Sequence, residues 1–183
     1  LIQCGQVGSL IVLTRLDLTF CKSGLTKAEV SLWKKLVYCI GGSLIESGVE
    51  EVLFAAAEHK HKEKCMTQDN NKLPCTTYLV TPQREGTGKQ IIAWMLDVPF
   101  VTVGFLEALL QRKKIQDPWP KMEDFNTPVN PDYTGSLATF WTTEYPNKTR
   151  LWESCTFLCT SESMAETGYI VRSAGGNVVA LYG

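Results

Sequence analysis

The chain has 183 residues, 44% of them apolar and 20% charged, with a formal net charge of −1. That apolar share excludes a fully disordered chain, and no run approaches the ~18 apolar residues that a membrane-spanning helix needs. The near-neutral charge excludes the broad basic surface of a general nucleic-acid binder and leaves room only for a local patch.

Residues 1–14, punctuated by Gly5 and Gly8 and carrying Leu10 to Leu13, predict a hairpin. Leu1 stands where an initiator Met would, and the chain is expected to be a piece of a longer protein. A strand ending at Ser23 leads into the clearest helix. Thr26-Lys27-Ala28-Glu29 is a capping box, Leu32, Trp33, Leu36, Val37 and Ile40 share one face, and Gly41 falls at the left-handed C-cap position. Ser43 to Ile45 predicts a strand. Residues 50–64 are rich in helix formers before turning polar, and 65–75 predict a loop. Thr76 to Val80 predicts a strand, Lys89 to Leu96 a helix with Ile91, Ile92, Met95 and Leu96 inward, and Pro99 to Val103 a strand. Phe105 to Lys114 predicts a helix with Phe105, Leu106, Leu109 and Leu110 inward. The resulting β-α-β-β-α-β-α order over 17–114 implies an α/β layer with parallel strands. The prolines at 118, 120, 128, 131 and 146 mark residues 116–150 as an extended linker packed through Trp119, Phe125 and Tyr133.

An internal repeat follows. Residues 19–45 and 156–181 share the order strand, loop, helix, Gly-Gly, strand, with the glycine pairs beginning at Gly41 and Gly175. Ser163-Met164-Ala165-Glu166 is a second candidate capping box.

Seven cysteines lack any Cys-x-x-Cys pair, and His59 and His61, in a Lys/Glu-rich stretch, are the only histidines. That pattern predicts reduced thiols rather than a zinc site or a disulfide framework. Gly86-Thr87-Gly88-Lys89 invites comparison with a nucleotide-binding loop, but Gln83 stands where that loop needs its first glycine. Gln90 stands where it needs a magnesium-holding hydroxyl. No nucleophile–base constellation stands out, so no enzyme and no cofactor are expected.

Ser23-Gly24 and Lys89 form a more specific pattern. A phosphate could accept from the Ser23 hydroxyl and the Gly24 N–H beside a helix N-terminus, with Lys89 supplying an ammonium. A turn at Ser23-Gly24 and a solvated Lys89 satisfy the same residues.

Ser23-Gly24-Leu25-Thr26, the helix after it, Gly41-Gly42, Thr77-Tyr78-Leu79-Val80, Lys89, Pro99-Phe100-Val101 and Phe105-Leu106 together resemble a BRCT domain. The resemblance implies a four-stranded parallel sheet flanked by helices, with 16–115 as a first BRCT, 116–150 as linker and 151–183 as the start of a truncated second. Residues 1–15 resemble the closing hairpin of an FHA domain. The stretch at about 47–75 is longer than the family's usual connection. An FHA end running into tandem BRCT repeats is similar to the regulatory subunits of double-strand-break repair complexes, as is the segment 117–125. The resemblance therefore implies a nuclear, chromosome-associated adaptor for phosphoserine or phosphothreonine proteins, with Ser23, Gly24 and Lys89 holding the phosphate. It further implies nuclease and ATPase subunits as partners through regions outside this chain, DNA contacted only indirectly, and no membrane. A structural spacer without phosphate binding is one alternative. A DNA-end binder using Arg112, Lys113 and Lys114 is another.

Overall fold

A computed structural model describes residues 2–4, 9–11, 18–63, 77–113, 117–132, 139–141, 147–160 and 162–181. The N-terminal strands β1 (Ile2–Cys4) and β2 (Ser9–Ile11) pair antiparallel, with Ile2 opposite Ile11, as the hairpin pattern predicts. The main sheet holds β3 (Thr19–Lys22), β4 (Ser43–Ile45), β5 (Thr77–Val80) and β6 (Phe100–Val101), all parallel, in the order β4-β3-β5-β6. The expected α/β class, a four-stranded parallel sheet flanked by helices, is therefore met.

Alternation along the central strands divides the core. Phe20, Tyr78 and Val80 face α1 (Lys27–Ile40) and α4 (Val103–Gln111), meeting Trp33, Val37, Phe105 and Leu106. Cys21 and Leu79 face the other way, toward α2 (Val49–Glu63) and α3 (Gly88–Met95), meeting Val49, Leu53, Ile92 and Ala93. With both faces covered, all four residues of β5 are buried, as a central parallel strand requires.

The capping box at α1 forms in full: the Thr26 N–H donates to Glu29 Oε2 at 2.8 Å, and the Glu29 N–H donates to Thr26 Oγ1 at 3.3 Å. At the helix end Gly41 adopts φ 76°, and a Cβ on Gly42 would lie 3.0 Å from both the Leu18 carbonyl oxygen and the Phe20 ring. Gly175 and Gly176 repeat that pairing of left-handed cap and close approach, which is the physical content of the repeated Gly-Gly. The second copy comprises β7 (Thr156–Thr160), α5 (Met164–Ser173) and β8 (Asn177–Leu181), its two strands parallel.

Several expectations need correction. α2 stands between the second and third strands of the sheet, so the order is β-α-β-α-β-α-β-α. Strand β6 is only Phe100–Val101, because Thr102 caps α4 and Val103 opens it. Leu32 and Leu110, both expected inward, are 41% and 39% exposed. They lie at the edge of their apolar stripes, where no neighbouring element among the described residues reaches. Ser163 makes no side-chain cap to α5; its hydroxyl donates to the Thr160 carbonyl at 3.1 Å instead.

The segment after α4 is docked rather than free. Trp119, Met122 and Phe125 pack against the first core, and the Arg84 N–H donates to the Pro128 carbonyl at 2.8 Å. The Arg84 guanidinium lies 5.3 Å from the Phe100 ring centroid and donates to the Trp141 carbonyl at 3.3 Å. Its half-burial pulls the guanidinium below its usual pKa. Tyr133 and Lys114 lie outside the described residues, as do the side chains of His59 and His61 and the loop at 65–75. α5 packs against α3, and Tyr169 of α5 donates its hydroxyl to Glu51 of α2 at 2.6 Å. That bond holds the Glu51 carboxyl below its usual range and raises the phenol.

Candidate functional site

The strand order dictates where a site can form. From β3 the chain crosses through α1 on one face to β4 on one side. From β5 it crosses through α3 on the other face to β6 on the opposite side. The carboxyl ends of β3 and β5 therefore border a crevice at the switch in direction, the usual ligand position in an open parallel sheet. Ser23 extends that pairing by one residue, its N–H donating to the Val80 carbonyl at 3.0 Å.

Ser23, Gly24 and Lys89, far apart in sequence, line one cavity of about 300 Å³ together with Lys22, Leu25, Glu50, Thr87 and Gly88. Ser23 is only 6% exposed. Its hydroxyl is 2.9 Å from that of Thr87, which caps α3 by accepting from the Gln90 N–H at 3.4 Å. Each hydroxyl carries one proton. One proton makes the Ser23–Thr87 bond, and the other has no acceptor among the described residues. The first N–H groups of α3, on Gly88 and Lys89, face outward at a helix N-terminus and add partial positive charge. Lys89 has no ion-pair partner among the described residues. These are the donors an anion requires.

Gly24 adopts φ 67°, and a Cβ there would lie 3.1 Å from Glu85 Oε2 and 3.6 Å from Thr81 Oγ1. Both the left-handed backbone and the crowding favour glycine. Cys21, which precedes the cavity-lining Lys22, is buried, and burial pushes its thiol up to about 12, so it stays neutral at physiological pH.

Sequence reasoning missed the residue that shapes the loop. Gln90 is fully buried. Its Oε1 accepts from the N–H groups of Glu85 at 2.6 Å and Gly86 at 3.0 Å. Its Nε2 donates to Thr81 Oγ1 at 2.9 Å and to the Gln83 carbonyl at 3.0 Å. All four hydrogen-bonding positions of the amide are used. The residue that disqualifies a magnesium-dependent nucleotide loop thus fastens residues 81–86 and sets the position of Thr87. Thr87 was visible only as part of that failed comparison. Glu50 was hidden because α2's docking beside β3 is a tertiary fact.

Of the alternative basic patch, the Arg112 guanidinium is engaged elsewhere. Arg112 lies 3.6 Å from the Trp119 ring centroid and donates to the Asp117 carbonyl at 2.8 Å, while the Lys113 N–H donates to Asp117 Oδ2. These contacts close the end of α4.

No protein-family model matches the chain, and no curated protein matches it. Among solved structures it is similar to the BRCT5–BRCT6 domains of S. pombe Brc1, with TM-score 0.49 and 16% identity over 90% of this chain and 66% of that one. It is also similar to Rtt107p residues 820–1070, with TM-score 0.44 and 12% identity over 92% and 64%. A third match is Rtt107p in complex with a phosphorylated histone, with TM-score 0.45 and 10% identity over 93% and 64%. The chain thus spans about two thirds of the length of these solved chains.

Proposed function

We propose that this chain is a non-enzymatic, phosphoprotein-binding adaptor built on a BRCT-type domain, serving the response to DNA double-strand breaks in the nucleus. The observation that carries the reading is the convergence of Ser23, Gly24, Thr87 and Lys89 on one cavity at the sheet's switch point. A phosphate there accepts from the spare hydroxyl proton, the Gly24 N–H and the opening N–H groups of α3, with Lys89 as counter-ion. The finer reading, a nibrin-like regulatory subunit working with nuclease and ATPase partners, is supported by the order of an FHA-like hairpin before the domain and by the segment 117–125.

The test is a fluorescence-anisotropy titration of the 183-residue chain with phosphoserine peptides and their unphosphorylated forms, a phosphorylated histone tail among them. Phosphorylation is expected to tighten binding at least tenfold, and Lys89→Ala to remove most of that gain, since hydrogen bonds to charged groups contribute roughly 1.5–3 kcal/mol. Equal binding of both forms, or an unchanged gain in Lys89→Ala, overturns the reading.

A further inference from the structure

The cavity that would hold the phosphate also carries a carboxylate. Glu50, in the first turn of α2, lines it together with Lys89, Ser23 and Thr87. Among the described residues Glu50 and Lys89 each lack an ion-pair partner and do not pair with one another. The remaining cation on the wall, Lys22, is drawn to Glu46 at 3.4 Å and lies 5.9 Å from the Trp33 ring centroid. The cavity thus presents one available positive charge and one available negative charge that do not pair with each other.

That arrangement suits a bare phosphate poorly. A phosphoserine brings roughly −1.5 to −2 charges; Lys89 offsets one, and Glu50 restores it. A ligand with its own cation beside the phosphate reverses the balance, because each of its charges then meets an opposite one. In a partly closed cavity such contacts are screened less than at an open surface.

We infer that Glu50 selects phosphorylated segments that carry an arginine or lysine next to the phosphoserine. The assignment rests on the phosphate reading of the same cavity and adds its substrate class. Arginine is the stronger partner, since its planar fork can engage a carboxylate through two hydrogen bonds. The helix that extends the connection between β4 and β5 thereby acquires a role: it delivers the discriminating carboxylate to the cavity.

The experiment is a titration matrix. Phosphoserine peptides with arginine at the preceding position, arginine at the following position, or alanine at both, and their unphosphorylated forms, are titrated into four proteins. These are the unaltered chain, Glu50→Gln, Glu51→Gln and Lys89→Ala. The unaltered chain is expected to prefer one arginine peptide over the alanine peptide by about tenfold or more, the size of one charge-assisted contact. Glu50→Gln is expected to shrink that preference below about twofold while tightening the alanine phosphopeptide, as loss of a like charge requires. Glu51→Gln, whose carboxylate is held by Tyr169, keeps the preference. If the arginine and alanine peptides bind alike, or Glu50→Gln tightens them equally, the Glu50 assignment is overturned and phosphate binding stands. If phosphorylation and Lys89→Ala change nothing, the phosphate reading fails and the selection falls with it.

Discussion

The two β-α-β units share an order and a glycine pair but differ in what surrounds them. In the first, β3 lies inside a four-stranded sheet with helices on both faces, and Phe20 and Cys21 are fully buried. In the second, among the described residues, β7 and β8 pair only with each other, and Leu158, Val179 and Leu181 are 64%, 47% and 51% exposed. The first unit ends its strand at Ser23-Gly24 against α3; among the described residues nothing equivalent to Thr87 and Lys89 stands beside β7. A β-α-β repeat therefore supplies the strand end but not the site. The site needs the neighbouring strand β5, its loop and the start of α3, so it is a property of the completed sheet.

The sharpest way to break that comparison is to truncate one apolar side chain on the first strand of each unit. Phe20→Ala removes a fully buried ring that stacks on Tyr78 with centroids 5.7 Å apart. It is expected to cost about 3–5 kcal/mol, the usual range for a core aromatic truncated to alanine. Leu158→Ala, on the open face of β7, is expected to change stability by less than about 0.5 kcal/mol. Urea denaturation measures both. Similar losses would mean that β7 is as well covered as β3.

The next effect separates the site from the scaffold. Gln90→Ala leaves the Glu85 and Gly86 N–H groups without their shared acceptor, at a cost of about 1–3 kcal/mol for buried groups left unsatisfied. It also frees the loop that places Thr87. Denaturation should report the stability loss, and the phosphopeptide titration should report weaker binding. A variant that loses stability but binds unchanged would show that Thr87 is placed by its bond to Ser23 alone.

What the sequence made legible follows from how local each signal is. The box at Thr26 and Glu29 and the left-handed Gly41 depend on residues a few positions apart, and both appear as expected. Ser23, Gly24 and Lys89 suggest a phosphate site by residue type, an ordinary turn and a solvated lysine fitting equally until the family resemblance favours the site, and the sheet order is what brings them to one cavity. Leu32 and Leu110 failed because periodicity gives the direction of an apolar stripe, while its covered width depends on neighbours. Gln90 stood out for the ion it could not hold rather than for the four backbone and side-chain groups it could. Glu50 required knowing that α2 packs with Val49 and Leu53 beside Cys21, which no short-range pattern contains.

The smallest predicted effect returns to the paired units at their helix starts. Thr26→Ala removes the acceptor for the Glu29 N–H and breaks a box in which both bonds are formed, at a cost of about 1 kcal/mol. Ser163→Ala, at the matching position of the second unit, removes a hydroxyl bonded to Thr160 rather than to the helix. Its cost is expected within about 0.5 kcal/mol. The pair tests whether the two capping sequences are energetically alike despite their geometry. Equal losses by thermal or urea unfolding would mean that Ser163 caps α5 in solution and that the second unit is built more like the first than its backbone indicates. The expected inequality has a local cause. Thr26 adopts an extended backbone at ψ 163°, which aims its side chain at the first turn, whereas Ser163 is already helical at ψ −11°. An N-cap must stand outside the helix to accept from it, so the same short motif works at one site and fails at the other.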